Sequence, residues 1–127
     1  MRRADRFVLI VDDYGTMRRI LRNLLGEIGF VHVDEADNGD SALDKLRERN
    51  FDLVISDWQM EPMSGLDLLK AVRADARFRH LPFIMITAAN KTENVVAAKA
   101  AGVNNYVVKP FTAETLKRKI DAVLGLA

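Results

Sequence analysis

Five side chains suited to metal or phosphoryl chemistry stand where apolar runs end. Asp12 and Asp13 follow Phe7–Val11, Asp57 follows Leu53–Ile55 after one serine, Thr87 follows Phe83–Ile86, and Lys109 follows Asn105–Val108. Carboxylates gathered at one place repel one another unless a cation neutralises them or one takes up a proton. With no histidine or cysteine beside them the donors are all hard oxygens, which favour Mg²⁺ over zinc. Three aspartates against the single ammonium of Lys109 leave a formal excess of two negative charges, which one divalent ion cancels. A carboxylate beside such an ion can attack phosphorus to give an acyl phosphate. An ammonium and a hydroxyl supply donors for the phosphoryl oxygens over which charge spreads. Alone, any one of these aspartates reads as a turn or helix-cap residue, Asp13 above all. What carries the reading is the set, placed at four different run ends.

The runs themselves read as strands. Phe7–Val11, Leu53–Ile55 and Phe83–Ile86 are nearly continuous apolar stretches rich in β-branched residues, the pattern of parallel strands covered on both faces. Val31–Ala36 and Asn105–Val108 are more mixed and read as edge strands. Helical patterns alternate with them. Met17, Ile20, Leu21, Leu24, Leu25 and Ile28 form one apolar face ending near Gly29. Ala42, Leu43 and Leu46 mark a second helix, and Ser64 with Asp67 forms a capping-box variant opening a third through Leu69 and Val72. Thr92 opens a fourth that stops at Gly102, and Thr112 with Glu114 opens a fifth carrying Leu116, Ile120 and Val123. The expected fold is α/β, a flavodoxin-like (βα)₅ three-layer sandwich with right-handed crossovers. The two edge strands favour the parallel order 2-1-3-4-5. In that order strands 1, 3, 4 and 5 are neighbours, so the polar residues converge on the rim where open α/β sheets bind ligands.

Composition narrows the function classes. A chain of 127 residues with 49% hydrophobic and 29% charged residues reads as one globular domain spanning 1–127. Nineteen basic against 18 acidic residues leave a net charge of +1, which gives no support for a nucleic-acid or membrane partner. The basic start, Arg2, Arg3 and Arg6, reads as a solvated terminus, and Arg18, Arg19 and Arg22 as a solvated helix face. The absence of cysteine excludes disulfides, thiolate chemistry and Cys-based zinc sites. Phe7–Val11 is too short for a signal-peptide core and stops at two aspartates, so a cytoplasmic location is expected. His32 and His80 lie far apart in sequence and read as surface residues.

Several stretches resemble two-component response-regulator receivers over nearly the full length. They are Val11-Asp12-Asp13, Thr16–Ile20 with Arg22–Leu25, Ile55–Trp58, and Tyr106–Thr112. The last two resemble chemotaxis members in particular. The family is itself an instance of the 2-1-3-4-5 order, so resemblance and edge-strand reading are not independent. The resemblance, and not the residues alone, picks Asp57 out of the three carboxylates as phosphoacceptor. It also implies Mg²⁺ bound by Asp13, Asp57 and the Gln59 backbone carbonyl, with Asp12 acting through water. Lys109 and Thr87 would contact the phosphoryl group, Thr87 and Tyr106 would form the switch, and Lys109–Pro110 would be cis. Val95, Tyr106, Val108 and Lys119 match the partner-binding face of helix 4, strand 5 and helix 5. Phosphorylation would replace a charge of −1 on Asp57 with about −2.

The resemblance therefore implies a signalling switch with no separate enzymatic activity, catalysing only its own phosphotransfer and dephosphorylation. A histidine kinase would be the donor, a flagellar motor switch protein the reader, and a phosphatase a further partner of what is expected to be a monomer. With no output domain after the fifth helix, output would be protein–protein contact. A phosphate sink or relay receiver would use the same chemistry. A Mg²⁺-dependent phosphatase with an Asp nucleophile usually wants a second Asp two residues on, where this chain has Gln59, and no glycine-rich nucleotide loop appears. Some positions depart from close relatives. Met60–Gly65 shifts a proline by one place and puts Ser64 where Asp is common. Gln59 and Ala89 stand where relatives often carry Asn and Glu, so an altered dephosphorylation rate is expected. Trp58 should turn away from Asp57 by strand alternation.

Overall fold

A computed structural model describes residues 2–88 and 92–126 of the chain. Five strands, β1 (Phe7–Val11), β2 (His32–Ala36), β3 (Leu53–Asp57), β4 (Phe83–Ala88) and β5 (Asn105–Lys109), alternate with five helices. These are α1 (Gly15–Ile28), α2 (Gly39–Glu48), α3 (Gly65–Ala74), α4 (Thr92–Ala100) and α5 (Ala113–Leu124). The strands form one sheet, every pair parallel, in the order β2-β1-β3-β4-β5. Strand alternation builds two cores from it. Val8, Ile10, Leu53, Ile55, Ile84, Ile86 and Val107 meet Leu21, Leu25, Leu116 and Ile120 of α1 and α5 on one face. Leu9, Val11, Val54, Phe83 and Met85 meet Ala42, Leu46, Leu68, Leu69 and Val72 of α2 and α3 on the other. Because both faces are covered, β3 is buried along its whole length, as its apolar run predicted.

The ends are set by local chemistry. Gly29 closes α1 in the left-handed conformation at φ 118°. The Asn38, Ser64 and Thr112 side chains accept from backbone N–H groups of α2, α3 and α5. The Met60–Gly65 departure is thus accommodated. Met60 is buried in the second core, Met63 packs on Gly39, Glu61–Pro62 is cis, and Ser64 forms a capping box with Asp67. Lys109–Pro110 is also cis.

Some surface expectations are corrected. Arg3 reaches across to Asp121 of α5 with two bonds of 3.0 and 2.6 Å, so the basic start is tied down rather than simply solvated. His32 is exposed, as expected, though it opens β2 rather than lying in a connection, and it stacks on Phe7 with ring centres 4.3 Å apart. Among the described residues no helix is long and apolar enough to cross a membrane.

Candidate active site

The carboxylates of Asp12, Asp13 and Asp57 each offer an oxygen within 4.8 Å of the others, at the C-terminal ends of β1 and β3. Asp57 is the last residue of β3 and only 5% exposed. The Lys109 ammonium, ending β5, lies 2.9 Å from Asp57 Oδ1. Asp12 is buried, and the Tyr14 N–H donates to its Oδ1 at 2.9 Å. Burial pushes the Asp12 carboxyl up to about 6; the Tyr14 N–H opposes this, Asp57 and Asp13 add to it, and Lys109 offsets part. A raised carboxyl among like charges marks negative charge that one lysine does not neutralise. Three oxygen donors, one of them exposed Asp13, fit a hard divalent cation.

Thr87, buried near the end of β4, faces this group across a cavity of about 50 Å³. Asp57, Trp58, Gln59, Thr87, Ala88, Asn94 and Lys109 line it. That volume suits a group of a few heavy atoms rather than a nucleotide or flavin. A roomier cleft of about 500 Å³, lined by Arg6, Phe51, Phe78 and Pro82 among others, shares no residue with this site. Gly65 supports the floor: its N–H donates to the Trp58 carbonyl at 2.8 Å, and a Cβ there would collide with the Asp57 carbonyl oxygen and Met85. Glycine is therefore required at that place by close approach. Trp58 itself packs with the second core, as alternation predicted.

The register explains who faces whom. Thr87 pairs with Val108 and Met85 with Tyr106, so Thr87, Tyr106 and Val108 share one side of the sheet. Tyr106 is half-buried, with the ammonium groups of Lys119 and Lys99 5.0 and 5.8 Å from its ring centre. Val95, Val108 and Lys119 are half-buried on α4, β5 and α5. Ala89 lies outside the described residues.

Two participants escaped the sequence reading. Asn94, in the first turn of α4, lines the cavity and places Nδ2 3.4 Å from Thr87 Oγ1. Arg18 is not merely a solvated residue: Nη1 donates to the Asp12 carbonyl at 2.7 Å and Nε to Glu35 at 3.0 Å. Arg22 joins it at Glu35 over 2.6 Å. Arg18 and Arg22 at i, i+4 were a signal for a shared acidic partner, whereas nothing in the sequence singled out Asn94.

Comparison with known proteins agrees with this arrangement. Residues 8–121 match the response regulator receiver domain. The chain belongs to the response-regulator receiver family. It is 54% identical over 116 residues to the chemotaxis protein CheY of Pseudomonas aeruginosa, covering 91% of this chain and 94% of that one. Identity to the chemotaxis protein CheY-3 of Vibrio cholerae is also 54%, over 91% and 89% of the two chains. Among solved structures, CheY4 of Vibrio cholerae superposes with a TM-score of 0.86 at 35% identity, over 94% of this receiver and 98% of that chain. A receiver domain protein from Clostridium thermocellum gives 0.87 at 27% identity, over 94% of each. The flavodoxin-like fold and a general phosphorelay signalling role follow from that membership.

Proposed function

We propose that this chain is a stand-alone response regulator that accepts a phosphoryl group on Asp57 from a histidine kinase. The carrying observation is the Lys109 ammonium 2.9 Å from Asp57 Oδ1 beside a cluster of three carboxylates. An Asp57 oxygen attacks phosphorus as the bond from phosphorus to the donor's imidazole nitrogen breaks, leaving an acyl phosphate on Asp57 and a histidine on the donor. Asp13, Asp57 and the Gln59 carbonyl, with Asp12 through a water, would hold Mg²⁺, which would supply charge neutralisation to the phosphoryl oxygens. Lys109 and the Thr87 hydroxyl donate to those oxygens. Hydrolysis by water on the same surface returns Asp57 and phosphate, so the domain catalyses its own reset without being a turnover enzyme.

The names of the relatives carry the proposal to chemotaxis; the reader we assign is a flagellar motor switch protein, and the acting species a monomer in the cytoplasm. The α4–β5–α5 face, with Val95, Tyr106, Val108 and Lys119, is the surface we assign to that reader. Incubation with Mg²⁺ and acetyl phosphate tests the chemistry. Intact mass should reveal one phosphoryl adduct with a change in Trp58 fluorescence, and Asp57→Asn should abolish both. An adduct that persists in Asp57→Asn, or forms without a divalent ion, overturns the mechanism. Binding of the phosphorylated form to a motor switch peptide separates a motor regulator from a phosphate sink.

A further inference from the structure

We propose that Asn94 is a positioning residue for Thr87, holding its hydroxyl so that the proton is free to donate to the group on Asp57. The inference rests on the reading of Asp57 as phosphoacceptor. A threonine hydroxyl has one proton and two lone pairs. Thr87 is buried at 2% exposure, and the Asn94 amide is its side-chain hydrogen-bond partner, at 3.4 Å. An amide nitrogen donates and does not accept. It therefore occupies a lone pair of Oγ1, and no side-chain bond among the described residues uses the hydroxyl proton. Thr87, Asn94, Asp57 and Lys109 line the same small cavity, so the free proton is directed to where a phosphoryl oxygen would sit.

The link also joins two functions through one helix. Asn94 neighbours Val95, which lies in the face assigned to the reader, and both belong to α4. A hydroxyl that turns toward a phosphoryl group changes its bond to Asn94, and thus its bond to α4. Coupling of this kind is reciprocal: whatever engages α4 alters how the site holds a phosphoryl group by the same factor. The route is separate from Tyr106, which pairs with Met85 and has the ammonium groups of Lys119 and Lys99 near its ring.

Asn94→Ala and Asn94→Asp, each in the parent and in a Thr87→Ala background, test the assignment. The readouts are Mg²⁺ affinity, affinity for beryllofluoride as a phosphoryl stand-in, and the urea unfolding midpoint, with Trp58 as reporter. Asn94→Ala should weaken beryllofluoride binding about three- to tenfold, the value of one polar contact. Mg²⁺ affinity should not move, and the midpoint should fall by no more than the loss of one long hydrogen bond explains. Asn94→Asp should weaken it more, because a carboxylate accepts the Thr87 proton. In the Thr87→Ala background the alanine effect should vanish and only charge repulsion should remain for aspartate. Parental binding by Asn94→Ala, an undiminished effect without the Thr87 hydroxyl, or parallel losses of Mg²⁺ affinity and stability would overturn this inference alone. A parent chain that binds no beryllofluoride in Mg²⁺ overturns the phosphoacceptor reading and this inference with it.

Discussion

The two flanks of Asp57 are held in different ways. On the β1–α1 flank, the turn carrying Asp12 and Asp13 is fixed twice, by the Tyr14 N–H on the Asp12 carboxylate at 2.9 Å and by Arg18 on its carbonyl at 2.7 Å. Glu35 anchors Arg18 in turn. Burial opposes its charge, yet the guanidinium groups of Arg22 and Arg18 hold its carboxyl below the ordinary value. On the β4–α4 flank, the side-chain bond to Thr87 among the described residues is a long one, from Asn94 at 3.4 Å, and two ammonium groups lie 5.0 and 5.8 Å from the Tyr106 ring centre. Charge-assisted bonds below 3 Å define one geometry, whereas a single neutral long bond is readily exchanged for another. The flank proposed to hold the cation is thus fixed in one geometry, and the flank proposed to report is free to change partners.

Removing a proposed ligand from the fixed flank should have the largest effect. Asp13→Asn takes one unit of negative charge from the cluster and should weaken Mg²⁺ binding tenfold or more, about 1.4 kcal/mol at least. Titration by Trp58 fluorescence measures it, and an affinity within twofold of the parent would remove Asp13 from the cation site.

Proton competition comes next. The Asp12 carboxyl is raised from 3.8 to about 6, so its charged form opposes folding in the ion-free protein. That penalty is complete above about pH 6, fades as pH falls toward 3.8, and is absent below it; this group thus makes the ion-free protein more stable with falling pH in that window. A divalent ion needs the deprotonated form, so Mg²⁺ affinity should fall by up to about tenfold per pH unit below 6. Affinity that is flat from pH 7 to 5 would place Asp12 outside the cation's reach.

Most of the site was legible because each of its groups ends a strand. Asp12, Asp13, Asp57, Thr87 and Lys109 interrupt apolar runs, and a parallel sheet brings such ends to one rim whatever the helices do. The two edge strands were legible because β2 is never more than half-covered before Ala36, so its sequence is free to be polar. Asn94 and Arg18 were not legible, since polar residues on helices are ordinarily solvated and only the third dimension brings them to a strand end. The tie between Arg3 and Asp121, residues 118 apart, was invisible for the same reason.

Arg18→Ala separates geometry from charge on the fixed flank. Loss of a cation near three carboxylates would by charge alone strengthen Mg²⁺ binding. Loss of the clamp on the Asp12 carbonyl frees the turn and should weaken it. We expect weakening of about threefold with a loss of about 1 kcal/mol in stability, modest because the pair is part-exposed. Tighter binding would mean that the clamp is dispensable and that the contrast between the flanks is smaller than the distances imply.

Lys119→Ala makes the smallest change and probes the other flank. The Lys119 ammonium lies 5.0 Å from the Tyr106 ring centre and 3.3 Å from Asn105 Oδ1, on a half-buried side chain. Its removal should lower stability by about 0.5 kcal/mol, the usual worth of a partly solvated cation–π contact. Mg²⁺ affinity should be unchanged, because the contacts of Lys119 are to the Tyr106 ring and Asn105, away from Asp12, Asp13 and Asp57. Urea unfolding and Mg²⁺ titration on one preparation give both numbers. A Mg²⁺ affinity that moves with Lys119 would show the flanks to be mechanically joined even before phosphorylation, and the division between a fixed half and a reporting half would fail.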